Sequence, residues 1–391
     1  MTSRSAFADP LPLAQALIRC RSVTPADGGA QAVLGDALEQ LGFTVTHLPF
    51  GGDADPTPNL FARIGTGRPH FCFAGHTDVV PPGSAAWDAA PFEAIVRDGI
   101  LYGRGACDMK GAIAAFVAAA ASHLSGAGST GPCGSISLLI TGDEEGPATF
   151  GTVRVLEWMT AHAQIPDFCL VGEPTNPSVL GETIKIGRRG SLNARVVVTG
   201  VQGHVAYPHR ADNPVHRLLA LLAALTTMRL DEGTADFEPS SLQVTTIDVG
   251  NAATNVIPAQ AEARLNIRFN DCHTGESLSR LLSDACARHA PDGRLEIQVS
   301  GEAFRTEPGL ELDALRAAIT ARTGRVPQLD TGGGTSDARF IARYCTVAEF
   351  GLVGESMHKA DENVSVSDLQ LLSTIYLDLL DRVLVPAGTP S

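Results

Sequence analysis

The sequence predicts an α/β fold in which a helix-covered mixed sheet is interrupted by a smaller module with the order β-α-β-β-α-β. Three observations lead to this prediction. Short apolar strands alternate with helices in the first part of the chain, ionisable residues follow the ends of those strands, and the order of elements changes near residue 191. The chain has 391 residues, of which 44% are hydrophobic and 18% charged, so it is long enough for two domains with buried cores.

Hydrophobic periodicity locates the elements of the first part of the chain. Apolar spacing predicts helices over residues 30–41 and 111–123, and apolar or alternating runs predict strands over 43–48, 70–74, 135–140 and 167–171. Because these strands and helices alternate, we expect the helices to cover both faces of one sheet.

The second module has a different order of elements. We predict a strand over 192–198, a helix over 214–228, strands over 242–249 and 259–269, a helix over 276–289 and a strand over 294–299. This is the order of the ferredoxin-like split unit. The sequence therefore predicts a first domain formed by residues 1–188 and 302–391, and a second domain formed by residues 189–301.

Two further helices are predicted after this module. One covers residues 311–323, and the other is C-terminal, with one apolar face and with Ser367 as its predicted cap. That apolar face comprises Leu369, Leu372, Tyr376, Leu379 and Val383.

Composition excludes several classes of function. A formal charge of −14 argues against binding nucleic acid or an anionic membrane through a general basic field. The longest apolar stretch, residues 112–121, is half as long as the ~20-residue span that a membrane helix needs, and no signal peptide is evident. The eight cysteines show no C-x-x-C spacing, which is typical of reduced thiols rather than of disulfides or a cysteine zinc site. We therefore predict a cytoplasmic protein.

Histidines and carboxylates follow the predicted strands and turns at widely separated positions. The carboxyl ends of parallel strands meet at one edge of an open α/β sheet, so we expect these side chains to converge there. They are His76, Asp78, Asp108, Glu144, Glu145, Glu173 and His358.

The first two of these groups each leave an alternative open. His76 and Asp78 lie on one face of an extended segment, so the Asp78 carboxylate can accept the second imidazole N–H of His76 and orient it towards a metal; the alternative is a structural histidine. Asp108 completes a G-x-G-x-x-D turn, whose Asp argues against a dinucleotide site. Its carboxylate is either a helix N-cap or a bridge between two cations.

Three adjacent acids, residues 143–145, end a buried strand and would repel each other without cations or partners. A solvated acidic turn is one interpretation. The other interpretation is that Glu145 binds a metal and Glu144 remains free to deprotonate a water. Two histidines and three carboxylates form a mixed nitrogen and oxygen ligand set, which suits a two-zinc hydrolase better than a closed structural site.

Four motifs, taken in order, resemble the M20 family of metallopeptidases and amidohydrolases. They are GHTDVVP at 75–81, GRGACDMKG at 103–111, DEE at 143–145 and GEP at 172–174, and the resemblance extends over nearly the whole chain. It implies a zinc-peptidase-like catalytic domain interrupted by a ferredoxin-like dimerisation and lid domain.

The resemblance also implies roles for individual residues. Two Zn²⁺ ions, for which Co²⁺ can substitute, would be bridged by Asp108. His76 and Glu173 would hold one ion, and Glu145 and His358 the other. Glu144 would be the general base and Asp78 would orient His76. A cis peptide bond between Asp108 and Met109 is implied as well.

Four more segments are similar to those M20 members that hydrolyse N-succinyl-LL-2,6-diaminopimelate to succinate and LL-2,6-diaminopimelate in lysine and diaminopimelate biosynthesis. They are GRRGS at 187–191, QGHVAYPH at 202–209, NVIP at 255–258 and GTSDARF at 334–340. The similarity implies a homodimer in which His204 reaches the partner's active site and stabilises an oxyanion. It implies substrate contacts from Arg188, Ser191, Tyr207, Asn255, Arg268 and Thr335.

Arg188 and Arg268 are the expected partners of the substrate's carboxylates, since a guanidinium can fork onto a carboxylate. A solvent-facing residue remains the alternative for both Arg268 and Arg188. Some related enzymes carry N-A-T-I before the last metal-binding histidine, where this chain has GESM at 354–357. Gly354 cannot make the side-chain contact of that Asn.

Three other functions compete with this one. The nearest is acetylornithine deacetylase or another M20 hydrolase of N-acyl amino acids, which would share the metals and Glu144. A catalytically silent binding protein would have lost a ligand or the base, and none is lost. A nucleotide-dependent enzyme using the glycine-rich stretch 331–335 would need a G-K-[ST] or an intact dinucleotide motif, and neither is present.

Overall fold

The computed structural model describes residues 4–52, 56–126 and 133–384, which divide into two compact units. In its described parts, the first unit takes Met1–Ile186, Thr306–Asp330 and Ser336–Ser391. The second unit takes Gly187–Arg305 and Thr331–Thr335. The module predicted at 189–301 lies inside the second unit.

The described helices are α1 (Leu11–Arg19), α2 (Ala30–Leu41), α3 (Lys110–Gly126), α4 (Thr152–Ala161), α5 (Pro214–Thr226), α6 (Gly275–His289), α7 (Leu310–Thr323), α8 (Ala338–Ile341) and α9 (Val366–Val383), with short 3-10 turns at Arg4–Phe7 and Pro208–Arg210.

The described strands are β1 (Thr44–His47), β2 (Leu60–Gly65), β3 (His70–His76), β4 (Ile95–Arg97), β5 (Ile100–Tyr102), β6 (Ser135–Thr141), β7 (Phe168–Val171), β8 (Thr183–Lys185), β9 (Gly187–Arg188), β10 (Gly190–Thr199), β11 (Gly203–His204), β12 (Ser241–Asp248), β13 (Val256–Ile257), β14 (Gln260–Phe269), β15 (Arg294–Gly301), β16 (Phe304–Arg305), β17 (Gln328–Asp330), β18 (Thr346–Glu349) and β19 (Asn363–Ser365).

A mixed sheet forms the centre of the first unit, with the strand order β1-β2-β6-β3-β7-β18-β8-β17. Strands β6, β3, β7 and β18 are parallel neighbours, and β2 pairs with β6 in the antiparallel sense. Strands β3, β6 and β7 are buried along their whole length, because helices cover the sheet. The predicted α/β architecture is confirmed.

The alanine-rich helix α3 is buried around almost its whole circumference. It packs against α1 and α9, and the Phe116 ring stacks on the Phe73 ring of β3 with a centroid distance of 4.4 Å. A helix that is apolar on every side must be covered on every side, so α3 fixes how the sheet and the C-terminal helix pack.

The parallel centre of the sheet determines where the ligands meet. In the parallel pairing of β3 with β6, His76 lies opposite Thr141, and in that of β3 with β7, Ala74 lies opposite Val171. The loops that follow these strands therefore leave the sheet at the same edge. Glu144 and Glu173 lie on two of those loops.

The second unit is built around an antiparallel sheet with the order β12-β14-β10-β15. Taken along the chain, β10, α5, β12, β14, α6 and β15 have the predicted ferredoxin-like arrangement, which is confirmed. Buried and exposed residues alternate along β10 and β14, and the buried leucines of α5 and α6 pack against the apolar face.

The C-terminal helix α9 is capped by Ser365 rather than by the predicted Ser367. The Ser365 hydroxyl accepts a hydrogen bond of 2.9 Å from the backbone N–H of Asp368, and its backbone is extended, as a cap requires. Ser367 already lies in the first turn of the helix. The prediction was wrong because β19 runs directly into α9, so the helix begins earlier than the apolar periodicity indicated.

Two exclusions made from the sequence can be compared with the described residues. Within these ranges, no helix combines the length and the apolar character that crossing a membrane requires. All eight cysteines are free thiols.

Close packing at the start of α3 leads to a test of the fold. A Cβ atom at Gly111 would lie 2.3 Å from the Ala106 carbonyl oxygen and 2.7 Å from Cδ1 of Leu352. We expect Gly111→Ala to lower the free energy of unfolding by about 1–3 kcal/mol, as overpacking of a core does. Urea unfolding measures the change.

Gly126→Ala on the same helix is the matched control, because no atom of the described residues lies within 4 Å of its Cβ position. This variant should keep or slightly raise stability. Equal stabilities for the two variants would contradict the packing described for the start of α3.

Candidate metal centre

Four ionisable side chains of the first unit surround one point at the edge of the sheet. His76 is the last residue of β3, Asp108 precedes α3, and Glu173 follows β7. Nε2 of His76 lies 3.2 Å from Oδ1 of Asp108 and 3.7 Å from Oε1 of Glu173. Oxygens of Asp108 and Glu145 come within 4.8 Å of the same imidazole.

The Asp108 carboxylate faces both histidines. Its Oδ1 atom is directed to His76, while its Oδ2 atom lies 3.2 Å from Nε2 of His358. The same His358 nitrogen lies 2.9 Å from Oε1 of Glu145. One carboxylate with a separate histidine at each oxygen is the arrangement expected of a ligand that bridges two cations.

These separations fit a metal centre. Tetrahedral zinc with bonds of 2.0–2.1 Å holds its ligand atoms about 3.3 Å apart. The distances of 2.9–3.7 Å between histidine nitrogens and carboxylate oxygens lie around this value. A mixed set of imidazoles and carboxylates with no thiolate is the donor set of hydrolytic zinc sites.

Electrostatics also favour positive charge at this place. Burial disfavours a protonated His76, yet the hydrogen bond to Asp108 and the charge of Glu173 raise the pKa of His76 well above its usual value. Hydrogen bonds to Asp108 and Glu145 raise the pKa of His358 to about 10. Burial opposes ionisation of Asp108, but the two histidines hold the pKa of that carboxyl below its ordinary range. Metal-free histidines thus hold protons that cations would displace.

Asp78 makes a different contact from the one predicted. Nδ1 of His76 donates to the backbone carbonyl oxygen of Asp78 at 2.9 Å, while the nearer carboxylate oxygen of Asp78 is 3.7 Å away. The carboxylate instead accepts the backbone N–H groups of Glu144 and Glu145, at 3.2 and 2.9 Å. Through these two hydrogen bonds Asp78 fixes the acidic turn, while its carbonyl orients His76. Burial raises the pKa of Asp78 to about 6.

Asp143 holds the loop that follows the acidic turn. Its carboxylate accepts the backbone N–H groups of Ala148, Thr149 and Phe150 at 3.2, 2.8 and 2.9 Å. These three donors satisfy the buried Asp143 carboxylate without a metal. The acidic turn therefore offers two carboxylates to the centre, those of Glu144 and Glu145.

Glu144 lies beside the candidate ligands. One of its carboxylate oxygens comes within 4.8 Å of ligand atoms of His76 and Glu173. Burial and the neighbouring charge of Glu173 raise the pKa of Glu144 well above its usual value. A carboxylate with a raised pKa at the edge of a metal centre has the properties of a general base. The same distances would also allow Glu144 to be a ligand.

The loop that carries His358 has an unusual backbone. His358 has a φ of +62°, a left-handed conformation that non-glycine residues adopt at a cost and mainly at functional sites. The Ser356 hydroxyl donates to the carbonyl oxygen of Asn363 at 2.9 Å and accepts its N–H at 3.0 Å, which closes the loop around His358. The peptide bond between Asp108 and Met109 is cis, as the family resemblance implies.

Four predicted substrate contacts lie on neighbouring strands and a loop of the second unit. Nη1 of Arg188 donates to the carbonyl oxygens of Gly332 and Gly334 at 3.3 and 3.2 Å, next to Thr335. Ser191 and Arg268 lie opposite each other in the antiparallel pairing of β10 with β14. Arg188 and Ser191 are buried, and Arg268 is half-buried.

The other predicted residues of the second unit form a separate exposed group. His204 pairs with Val256 across β11 and β13, which places it beside Asn255, and its ring centroid is 5.7 Å from that of Tyr207. The Asn255 carbonyl oxygen accepts the backbone N–H of Val205 at 3.1 Å. His204 and Tyr207 are exposed.

Glu362 was not among the predicted residues, although it contacts the turn that carries Asp108. It is fully buried and pairs with the buried guanidinium of Arg104 at 2.6 Å. In the sequence it is one acid in the run ADEN at 360–363, and no periodicity marks it as buried. Its spacing of four residues after His358 was the only available signal.

Comparison with known proteins gives close relatives and a shared fold. The model of peptidase family M20/M25/M40 matches residues 72–382. The chain is 68% identical over 374 residues to a succinyl-diaminopimelate desuccinylase of Gluconacetobacter diazotrophicus, covering 96% of this chain and 97% of that protein. It is 59% identical over 382 residues to the enzyme of the same name from Gluconobacter oxydans, covering 97% and 99%.

Solved structures with low sequence identity share the fold. An M20 family metallo-carboxypeptidase of Sulfolobus solfataricus has a TM-score of 0.79 at 17% identity, over 96% of this chain and 99% of that one. A dinuclear metal binding peptidase of the M20 family from Bacillus subtilis has a TM-score of 0.71 at 17% identity, over 97% and 99%. The family resemblance inferred from the sequence motifs is confirmed: the chain belongs to peptidase family M20/M25/M40.

Proposed function

We propose that this chain is a dizinc amidohydrolase that hydrolyses N-succinyl-LL-2,6-diaminopimelate to succinate and LL-2,6-diaminopimelate. The observation that carries the proposal is the Asp108 carboxylate, which directs one oxygen to His76 and the other to His358. The substrate follows from relatives at 59–68% identity that bear the name succinyl-diaminopimelate desuccinylase.

We assign the ligands from the contacts at the centre. Asp108 would bridge the two Zn²⁺ ions, His76 and Glu173 would complete one site, and Glu145 and His358 the other. Co²⁺, which takes the same donors, would substitute. When bound, the ions polarise the scissile carbonyl and lower the pKa of the attacking water.

Glu144 would carry out the proton transfer. Its carboxylate would take a proton from the attacking water and pass it to the amine that leaves when the C–N bond breaks. Asp78 would position Glu144 for this step, because its carboxylate accepts the backbone N–H groups of both Glu144 and Glu145.

Substrate recognition would use the second unit. The substrate carries three carboxylates and one ammonium, while the chain has a formal charge of −14, so its carboxylates need local donors. Arg188 and Arg268 would bind them, and Ser191, Tyr207, Asn255 and Thr335 would add hydrogen bonds. Gly354 offers no side chain to the substrate.

A homodimer belongs to the proposal, with His204 reaching the partner's active site. Strand β12 lies at the edge of the antiparallel sheet and exposes Ile247, and α5 exposes Leu219. An exposed edge strand with apolar residues is suited to pairing with a second copy of the chain. His204 would then donate to the oxyanion that develops at the scissile carbonyl.

Eight free thiols are in keeping with a cytoplasmic enzyme.

The first prediction concerns substrate and metal. Chelator-stripped protein should be inactive, and added zinc should restore hydrolysis of N-succinyl-LL-2,6-diaminopimelate. The kcat/KM for this succinyl substrate should exceed that for N-acetyl-L-ornithine by at least a factor of about 100. The acetyl group lacks the succinyl carboxylate, so an arginine that would bind this carboxylate is left without a partner. Zinc-dependent hydrolysis of the acetyl substrate alone would keep the metal centre and overturn the substrate assignment.

The second prediction concerns the base. Glu144→Gln should lower kcat by a factor of about 10²–10⁴ while the bound zinc, measured by atomic emission, stays at the parental level. Glu157→Gln is the control, since this glutamate on α4 is 53% exposed and pairs with Arg154. Parental kcat in Glu144→Gln would rule out this base, and loss of zinc would make Glu144 a ligand.

The third prediction concerns the crossed-over histidine. His204→Ala should lower kcat more than it raises KM. When equal amounts of His204→Ala and Glu144→Gln chains are mixed and reassociated, about a quarter of all sites should combine a good base with a good incoming histidine, as a two-fold dimer requires. Activity should recover to that level.

The control pairs Glu144→Gln with His162→Ala, which changes an exposed histidine at the C-terminal end of α4 in the first unit. His162→Ala alone should retain parental activity. Absence of recovery in the His204→Ala mixture, with mixed dimers verified by mass spectrometry, would contradict the crossed-over role.

A further inference from the structure

Glu362 collects an unusual number of hydrogen bonds from one turn. A single carboxylate oxygen, Oε1, accepts the backbone N–H groups of Gly105, Cys107 and Asp108 at 3.1, 3.1 and 3.2 Å. The Cys107 thiol lies 3.3 Å from the same oxygen. The backbone of the residue that faces both histidines is therefore held directly by Glu362.

The second carboxylate oxygen of Glu362 is held just as firmly. Oε2 accepts from Nη1 of Arg104 at 2.6 Å, and the guanidinium lies over the Trp87 ring, 5.1 Å from its centroid. Glu362 is 0% exposed and Arg104 1% exposed, so the pair is fully desolvated. Arg104 belongs to the turn that Glu362 binds, which means that both oxygens hold one segment of chain.

Glu362 also connects the two parts of the centre that come from distant segments. The loop closed by Ser356 and Asn363 carries His358, and Glu362 lies on that loop. The Glu362 carbonyl oxygen accepts the backbone N–H of Gly103 at 2.9 Å. One residue thus ties the turn of Asp108 to the loop of His358.

We infer that Glu362 is a positioning residue that sets the orientation of the Asp108 carboxylate between its two histidines, and through it the affinity of the centre for its cations. This inference rests on the proposed metal centre. A carboxylate that bridges two ions must direct each oxygen to within a few tenths of an ångström, so its backbone must be fixed. Glu362 fixes it without binding a cation itself.

The test measures metal binding rather than turnover. Zinc affinities of chelator-stripped protein are determined by competition with a chelating indicator, and the visible spectrum of the Co²⁺-loaded form is recorded. Glu362→Gln keeps the shape of the side chain but replaces its charge and one acceptor. We expect it to weaken at least one zinc site by a factor of about 10–100 and to alter the Co²⁺ spectrum.

Asp231→Asn is the matched control in the second unit. The Asp231 carboxylate accepts backbone N–H groups of Gly233 and Ser240 at 2.7 and 3.1 Å and the Asn270 amide at 2.7 Å. Asp231→Asn should lower the free energy of unfolding, while its zinc affinities and Co²⁺ spectrum should equal those of the parental protein. Glu362→Asp and Arg104→Lys keep the charge but shorten or reshape the side chain. If Glu362→Gln does not fold, zinc affinities and the Co²⁺ spectrum are measured on these two variants instead.

Each outcome bears on the inference. Parental zinc affinities and an unchanged Co²⁺ spectrum in folded Glu362 variants would overturn the positioning role and leave the proposed function intact. Unfolding of all three variants would make the role purely structural and would overturn it as well. A parental chain that binds no metal would overturn the proposed function and this inference with it.

Discussion

Repulsion among buried carboxylates is the constraint on which the centre of the first unit depends. Asp78, Asp108, Glu144, Glu145 and Glu173 surround one edge of the sheet, and Asp143 and Glu362 lie close behind. Desolvated negative charges at such distances cannot all persist without partners. The fold therefore has to provide positive charge or hydrogen-bond donors for each of them, and the way it does so separates the acids into two kinds.

One kind is satisfied by the backbone. The carboxylates of Asp78, Asp143 and Glu362 accept two, three and three backbone N–H groups respectively, and Glu362 has Arg104 in addition. The other kind faces imidazoles: Asp108, Glu145 and Glu173 lie 2.9–3.7 Å from nitrogens of His76 or His358, and Glu144 lies beside His76 and Glu173. The first kind builds the turns, and the second would face the cations of the proposed centre. Asp143 and Glu145, two residues apart in the chain, thus make different contacts because they have different neighbours.

This division explains what could be predicted from the sequence. Periodicity located α2 and α3 and the strands β3, β6 and β7, since burial of one face or both leaves a clear pattern. The acids at strand ends were recognised because parallel strands bring their carboxyl ends together. Periodicity could not show that the Asp78 carboxylate binds backbone N–H groups instead of His76, or that Glu362 is buried, because both facts depend on turns whose geometry is set by distant segments. The cap of α9 was misplaced for a related reason: strand β19 precedes the helix directly.

Contacts between distant segments also mean that the candidate metal centre is complete only when the whole first unit has folded. His76 and Asp108 come from the part of the chain before the second unit, and His358 and Glu362 from the part after it. The later part docks through parallel pairing of β18 with β7 and through the Tyr376 ring, whose centroid lies 5.7 Å from that of Phe73 and 6.0 Å from that of Phe116. Until that docking occurs, Asp108 has neither its second histidine nor the carboxylate that holds its turn. An intervening module of more than a hundred residues can therefore be accommodated in the chain, because the ligands are aligned by sheet pairing and by one buried ion pair rather than by closeness in sequence.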